Sequence, residues 1–418
     1  MNKLVNFLNE SPTAFLAIEN ITKELEDNSY EELDEKKTFK LKKGGKYYVT
    51  RNGSSVIAFN IGKKLTNPSL QICASHSDCP GFKIKPNGFS YENGYLKLNT
   101  EVYGGTIYYP WLDRPLGLAG RVIVKEKGLI KTINYKENKP FCVIPSLAIH
   151  MNRDINKDLI LNPAVDLLPL CSLKEHNFNE YLKKQLKKDI LGFDLYLYPF
   201  ASAFTWGIDD EFISSNHIDN LECGYATLLG FINNFNDENI NMYCCFDNEE
   251  VGSLTRQGAD SDFLECTLRR ICDGLKLNYY ELLAKGMLLS CDNAHAVHPN
   301  HVEKADPVNR PRMNEGIVIK YNANQSYTSD GLSSAILKDL LDKHKIPYQI
   351  FTNRSDMKGG PTLGNLSNGH CSLVSVDIGL AQLAMHSPVE TTGIKDFEHM
   401  INCAKYFYKA HLKDNTLI

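Results

Sequence analysis

The sequence predicts an α/β protein: a mixed, mostly parallel sheet with helices on both faces, interrupted by a β-rich inserted domain. Three observations carry this. Beyond Asn216, short apolar runs alternate with helical patterns, and such alternation implies parallel strands covered on both sides. From Phe82, helical periodicity gives way for about sixty residues to short β-type runs. The 418 residues suffice for two or three domains, or for one large domain with an insertion. The expected boundaries are 1–82 and 211–418 for the main domain and 83–210 for the insert.

Val5–Leu33 starts as a helical region that breaks at Ser11-Pro12, a pair that can open the next helix. Phe15, Ile18, Ile21 and Leu25 then fall near helical spacing. Tyr47–Ile61 alternates around Asn52-Gly53, a hairpin signal. Leu70–Ala74 is an apolar run that ends on Ser75-His76-Ser77-Asp78. In the insert, β-type runs recur at Tyr95–Leu98, Thr106–Tyr109, Val122–Val124, Thr132–Tyr135 and Phe141–Ile144, punctuated by Asn-Gly, Gly-Gly and Lys-Gly pairs. Pro163–Lys188 is more polar and partly helical, and Leu195–Pro199 reads as another strand. The second half predicts helices at Leu221–Phe235, Asp260–Leu275, Asp330–His344 and Lys395–His411. Its strands fall at Met242–Phe246, Met287–Cys291, Tyr348–Thr352 and Leu373–Ile378.

Hydrophobic residues make up 43% and charged residues 23%, a profile of ordinary globular proteins. A net charge of -4 gives no electrostatic case for nucleic acid or an anionic membrane. Met1–Phe15 is too polar for a signal-peptide core, and no apolar run approaches the roughly 20 residues of a membrane span. The twelve cysteines form no CxxC pairs and read as reduced core thiols, which points to a cytoplasmic chain.

Met242–Leu254 (MYCCFDNEEVGSL) is the chemical centre. Adjacent Glu249 and Glu250 at a strand end resist joint ionisation. A cation removes the difficulty, because one carboxylate can ligate while the other stays free as a base. Alone, the pair is more simply a solvated acidic turn, His76 a surface histidine, Asp219 a helix N-cap, and His386 a loop histidine. Their joint placement at strand ends is what argues for metal, since open α/β sheets bind ligands there. Leu70–Ala74 ends at His76 and Asp78, Met242–Phe246 at Glu249 and Glu250, and Met287–Cys291 at Asp292. Leu373–Ile378 leads to His386. Five ligands are too many for one catalytic zinc and natural for two sharing a carboxylate. Two ions about 3.5–4 Å apart hold a hydroxide between them and polarise a carbonyl. Glu249 is then available as general base, and Asp78 can orient the His76 imidazole. His295, His298 and His301 form a looser group, with Pro299 breaking any helical face.

The stretches ASHSD at 74–78, YGGTIYYPWLDRPLGLAG at 103–120, IPSLAIHMNRD at 144–154, HIDNL at 217–221, FDNEEVGS at 246–253, DNAHAVHPN at 292–300 and LAMHS at 383–387 resemble the aspartyl aminopeptidase family of two-metal exopeptidases. The resemblance implies a zinc-peptidase α/β domain interrupted by a β-rich dimerisation domain. It implies two Zn2+ ions, with Co2+ or Mn2+ as alternatives, held by His76, Asp219, Glu250, Asp292 and His386. Asp219 would bridge, with His76 and Asp292 on one ion and Glu250 and His386 on the other. Glu249 would be the base. His295, Lys320 and His150 match substrate-contacting positions, with His150 reaching a neighbouring subunit. The implied substrates are peptides with N-terminal Asp or Glu, and the implied assembly is a homododecamer built from dimers. Two departures stand out: Cys79 where serine is more usual, and Ser387-Pro388-Val389-Glu390 where many relatives carry an Ile-Arg pair. The competing readings are a broad or neutral-residue (Leu-type) aminopeptidase, another two-metal hydrolase such as a deacylase or carboxypeptidase, and a non-enzymatic shell protein retaining the fold.

Overall fold

The apolar runs that end in acidic residues and histidines lie side by side. The computed structural model describes residues 2–360 and 362–418. Among them, nine strands form one mixed sheet in the order Glu31–Glu32, Lys46–Arg51, Ser55–Ile61, Ile240–Phe246, Leu70–His76, Gly286–Cys291, Val374–Gly379, Ile317–Tyr321, Tyr348–Thr352. Leu70–His76 runs parallel to both of its neighbours, and Gly286–Cys291 runs parallel to Val374–Gly379. The register sets Phe246 beside His76, Ser290 beside Ala74 and Cys291 beside Ile378, so four carboxyl ends finish level.

Side-chain alternation explains why helices cover both faces. Leu70, Ile72, Ala74, Met242, Cys244 and Phe246 belong to one core cluster with Phe263, Leu268 and Ile271 of the helix Phe263–Leu275. Tyr243 points the other way and meets Phe231, on the helix Ile218–Phe231, at 6.1 Å between ring centroids. The helix Asp396–Lys409 packs on that helix, and its Tyr408 hydroxyl donates to the Met242 carbonyl at 2.8 Å.

The chain divides into two compact units. The first comprises Met1–Asp78, Phe204–Met385 and Glu390–Ile418; the second comprises Cys79–Ala203 and His386–Val389. Besides the large sheet, the first unit holds a smaller one ordered Phe204–Trp206, Phe212–Ser215, Glu390–Gly393, Ala381–Leu383, Ala294–His295. These strands are two to four residues long, too short for alternation to reveal them in sequence.

The second unit is built on an antiparallel sheet ordered Leu129–Lys136, Leu116–Glu126, Asp189–Pro199, Gly81–Glu92, Tyr95–Tyr103, Leu170–Ser172. Its core gathers Phe82, Leu98, Trp111, Leu118, Val122, Phe178 and Leu195. Two expected strands differ. At the end of Thr106–Tyr109 the chain turns into a 3-10 helix, Tyr109–Trp111, because Pro110 lacks the N–H a ladder needs. Trp111 then donates to the Thr106 hydroxyl at 2.9 Å. Phe141–Ile144 makes only isolated bridges, through Cys142, Val143 and Ile144. No described helix is long and apolar enough to cross a membrane, and none of the twelve cysteines is in a disulfide.

Candidate metal centre

The site grows from the strand ends of the first unit. His76 closes its strand and is fully enclosed, at 1% exposure. Its Nδ1 lies 3.0 Å from the Asp78 carbonyl oxygen, the geometry of an Nδ1–H donor, which leaves Nε2 to coordinate. That Nε2 faces Asp219 Oδ1 at 3.6 Å and Asp292 Oδ1 at 3.5 Å.

The Asp78 carboxylate acts differently from the imidazole orienter read in the sequence. It is 3.5 Å from His76 Nδ1, too long for a good hydrogen bond. Instead it accepts the backbone N–H of Glu249 at 3.0 Å and of Glu250 at 3.2 Å. One aspartate therefore fixes the histidine through its carbonyl and the Glu-Glu turn through its carboxylate. That turn is a single 3-10 turn, Glu249–Val251, ended by Gly252 at φ 95°, where a side chain would be strained.

Asp219 sits where the first turn of its helix is irregular, at φ -78° and ψ 107°. Its N–H donates to Glu390 Oε2 at 2.9 Å. Asp292 follows Gly286–Cys291, and its N–H reaches the Ile378 carbonyl at 2.9 Å. Gly379 is required beside it, since a Cβ there would come within 2.0 Å of the Asp292 carbonyl oxygen. Lys320 lies on the strand Ile317–Tyr321. It is 3% exposed, with Nζ 3.2 Å from Asp292 Oδ2 and 2.8 Å from the Asn293 carbonyl.

Two sets of ligand atoms gather within 4.8 Å in this unit: His76, Asp219 and Asp292, and His76, Glu249 and Glu250. His386 belongs to the segment grouped with the second unit, where its Nδ1 lies 3.2 Å from the Gly105 carbonyl. That contact, like the one at His76, leaves Nε2 for a ligand. His150 is on an exposed loop of the second unit. His295 is exposed on Ala294–His295, with its ring 6.2 Å from Phe351. His298 and His301 stack loosely at 5.1 Å, and neither they nor His295 enter a three-ligand group among the described residues. Sequence reasoning missed Glu390, Gln382 and Asn293, which lie behind the ligands; a lone glutamate in a Ser-Pro-Val-Glu turn carries no signal of its own.

The matching family model is that of the aminopeptidase I zinc metalloproteases (M18), and it spans residues 7–408. The chain belongs to the M18 family. It is a zinc metalloprotease and an aminopeptidase. A probable M18 family aminopeptidase 2 from Clostridium novyi is 44% identical over 425 aligned positions, covering 97% of this chain and 98% of the relative. A chain in the solved complex of Ape4 and Nbr1 superposes with a TM-score of 0.93 at 33% identity, covering 98% of this chain and 85% of that one. The S. cerevisiae mApe1 dodecamer matches with a TM-score of 0.86 at 26% identity, covering 98% and 96%.

The residues of this M18 aminopeptidase fit zinc. The donor set is imidazole and carboxylate, and the His76 Nε2 separations from Asp219 and Asp292 are close to the roughly 3.3 Å edge expected of ligands about 2.0–2.1 Å from a tetrahedral ion. A cation would also offset the crowding of buried like charges here. Burial pushes Glu249 up to about 8, His76 opposes this, and the carboxylates of Asp292, Asp78 and Asp219 add to it. Burial and then Asp219 raise Glu250 well above the carboxylate range. At His76 burial acts to lower the pKa, but Asp219, Asp292 and Asp78 overcome it and hold the imidazole well above its usual value. Glu222, enclosed behind the site, is pushed up to about 8, chiefly by burial.

A pH dependence follows for the metal-free M18 protein. Glu222, Glu249 and His76 all bind protons more tightly folded than unfolded, so stability is present at low pH and lost as pH rises through the folded values. The melting temperature of chelated protein is expected to fall between about pH 5 and pH 8.5, and zinc at the upper pH to restore it. A chelated protein that gains stability over that window would contradict the electrostatic reading.

Proposed function

We propose that this M18 aminopeptidase releases N-terminal Asp or Glu from peptides at a dinuclear zinc site. The observation that carries the reading is the convergence of His76, Asp292, Glu249 and Glu250 at the level ends of parallel strands with Asp219 of the first turn of Ile218–Phe231. His76 and Asp292 would hold one ion, Glu250 and His386 the other, and Asp219 both. Zinc, when bound, supplies a Lewis acid that polarises the scissile carbonyl and makes water a proton donor near neutral pH. Glu249 accepts the proton of the attacking water and returns it to the leaving amine. Asp78 keeps Glu249 and Glu250 in one turn, so base and ligand face the same space.

Lys320 supplies the acidic preference in this reading. An ammonium has three donors; two serve Asp292 and the Asn293 carbonyl, which leaves a third for a substrate carboxylate. A site built for such a bond rejects side chains that lack it. The expected order of kcat/KM is Asp or Glu above Ala or Leu, with Lys or Arg lowest. A charge-assisted bond is worth about 1.5–3 kcal/mol, so Lys320→Met is expected to cut the aspartyl-over-leucyl ratio by roughly 10- to 100-fold. Zinc content is measured alongside, because Asp292 loses its partner. A wild-type enzyme faster on leucyl substrates would replace this specificity with the neutral-residue one. Cleavage of N-blocked substrates would instead favour a deacylase or carboxypeptidase.

We place the enzyme in the cytoplasm, since its cysteines are all thiols. We also propose that the insert, expected at 83–210, is the dimerisation domain of a homododecamer, with His150 and His295 contacting substrate. Supporting this, the edge strand Leu129–Lys136 exposes Leu129 and Ile130, and the stretch around His150 exposes Leu147, Ile149, Met151, Ile160 and Val165. Uncovered edges and apolar patches of this kind are sites of association. Light scattering at micromolar concentration is expected to give a mass many times that of one chain; a mass near 47.2 kDa would contradict it.

A further inference from the structure

We infer that Glu390 is a positioning residue that locks the Asp219 and Asp292 loops together. The inference rests on the assignment of Asp219 as a metal ligand made above. Glu390 opens the strand Glu390–Gly393 and is 2% exposed. Its Oε2 accepts the Asp219 N–H at 2.9 Å, and its Oε1 accepts Gln382 Nε2 at 3.3 Å. Gln382 Oε1 in turn accepts Asn293 Nδ2 at 2.8 Å, and the same Nδ2 is 3.0 Å from Glu222 Oε2. Asn293 is the residue after Asp292, and its carbonyl takes the Lys320 ammonium. All four members, Glu390, Gln382, Asn293 and Glu222, are buried. One enclosed chain of hydrogen bonds thus runs from the backbone of one ligand loop to the other.

As the amides are oriented, every donor in the chain meets an acceptor, so its polarity can be tested. In Glu390→Gln the new amide nitrogen faces the Gln382 amide nitrogen, donor against donor. Flipping Gln382 only moves the conflict to Asn293. A buried network left partly satisfied costs more than a neutral packing change. Adding Gln382→Glu restores every pair. The Asp219 N–H then donates to the amide oxygen introduced at position 390, and the amide nitrogen there donates to the carboxylate introduced at position 382. Asn293 donates to that same carboxylate. The double variant keeps the charge and the volume of the wild type.

The test is zinc affinity, measured by competition with a chromophoric chelator, with melting temperature recorded in parallel. Partners behind metal ligands are typically worth 10- to 100-fold in affinity. Glu390→Ala and Glu390→Gln are expected to lose zinc affinity in that range, and Glu390→Gln/Gln382→Glu to return to within about threefold of wild type. Wild-type affinity in Glu390→Ala, with zinc lost in Asp219→Ala, would overturn the positioning role and leave the ligand set standing. A loss that the swap fails to repair would reduce Glu390 to packing and also overturn it. If Asp219→Ala itself binds zinc as the wild type does, the ligand assignment fails, and this inference with it.

Discussion

Glu249→Gln is expected to keep the fold and its zinc while turnover falls by at least roughly the 10²- to 10⁴-fold that general-base assistance typically supplies. The amide matches the carboxylate in size, and the Glu249 backbone N–H that binds Asp78 is untouched. What disappears is the capacity to take a proton from water and hand it to the amine. Because the lost interaction belongs to the transition state, kcat should fall with little change in KM. Removing one carboxylate from a crowded, buried group also relieves like-charge repulsion, so the metal-free variant is expected to be at least as stable as metal-free wild type above about pH 7. More than half the wild-type kcat in a zinc-loaded variant would show that another group is the base.

Asp219→Ala is the other large effect. If its carboxylate serves both ions, the change removes one ligand from each at once. The loss of zinc affinity should exceed the roughly 10- to 100-fold typical of partners behind the ligands, and activity should fall with it. Elemental analysis after dialysis is expected to find well under one zinc per chain at concentrations that saturate the wild type. The Asp219 N–H to Glu390 bond survives the substitution, and a melting curve recorded alongside separates loss of zinc from loss of the fold. Near-full zinc occupancy in Asp219→Ala would refute the bridge.

The strand ends were legible because buried parallel strands are written as apolar runs. Leu70–His76, Ile240–Phe246, Gly286–Cys291 and Val374–Gly379 are all buried strands of this kind; His76 closes the first, Asp292 directly follows the third, and Glu249 and Glu250 come just beyond the second. Helices with a strong amphipathic stripe, such as Phe263–Leu275 and Asp396–Lys409, were equally readable. Leu363–His370 escaped because Gly364, Asn365, Asn368 and Gly369 are poor helix formers, and packing decides its state. The small sheet escaped because its strands, two to four residues long, hold at most two alternations. Glu390 and Gln382 lie on that sheet, so the hydrogen bonds behind the ligands were invisible for the same reason. Lys320 lies within the strand Ile317–Tyr321, and no sequence pattern says that its ammonium is buried against Asp292.

The central claim is that two zinc ions share Asp219. It is tested most directly by anomalous scattering at the zinc edge from crystals grown with the metal. The account predicts two zinc peaks per chain, about 3.5–4 Å apart, on either side of the Asp219 carboxylate, with His76 and Asp292 beside one and Glu250 and His386 beside the other. A single peak, or two peaks that do not both touch Asp219, would contradict it.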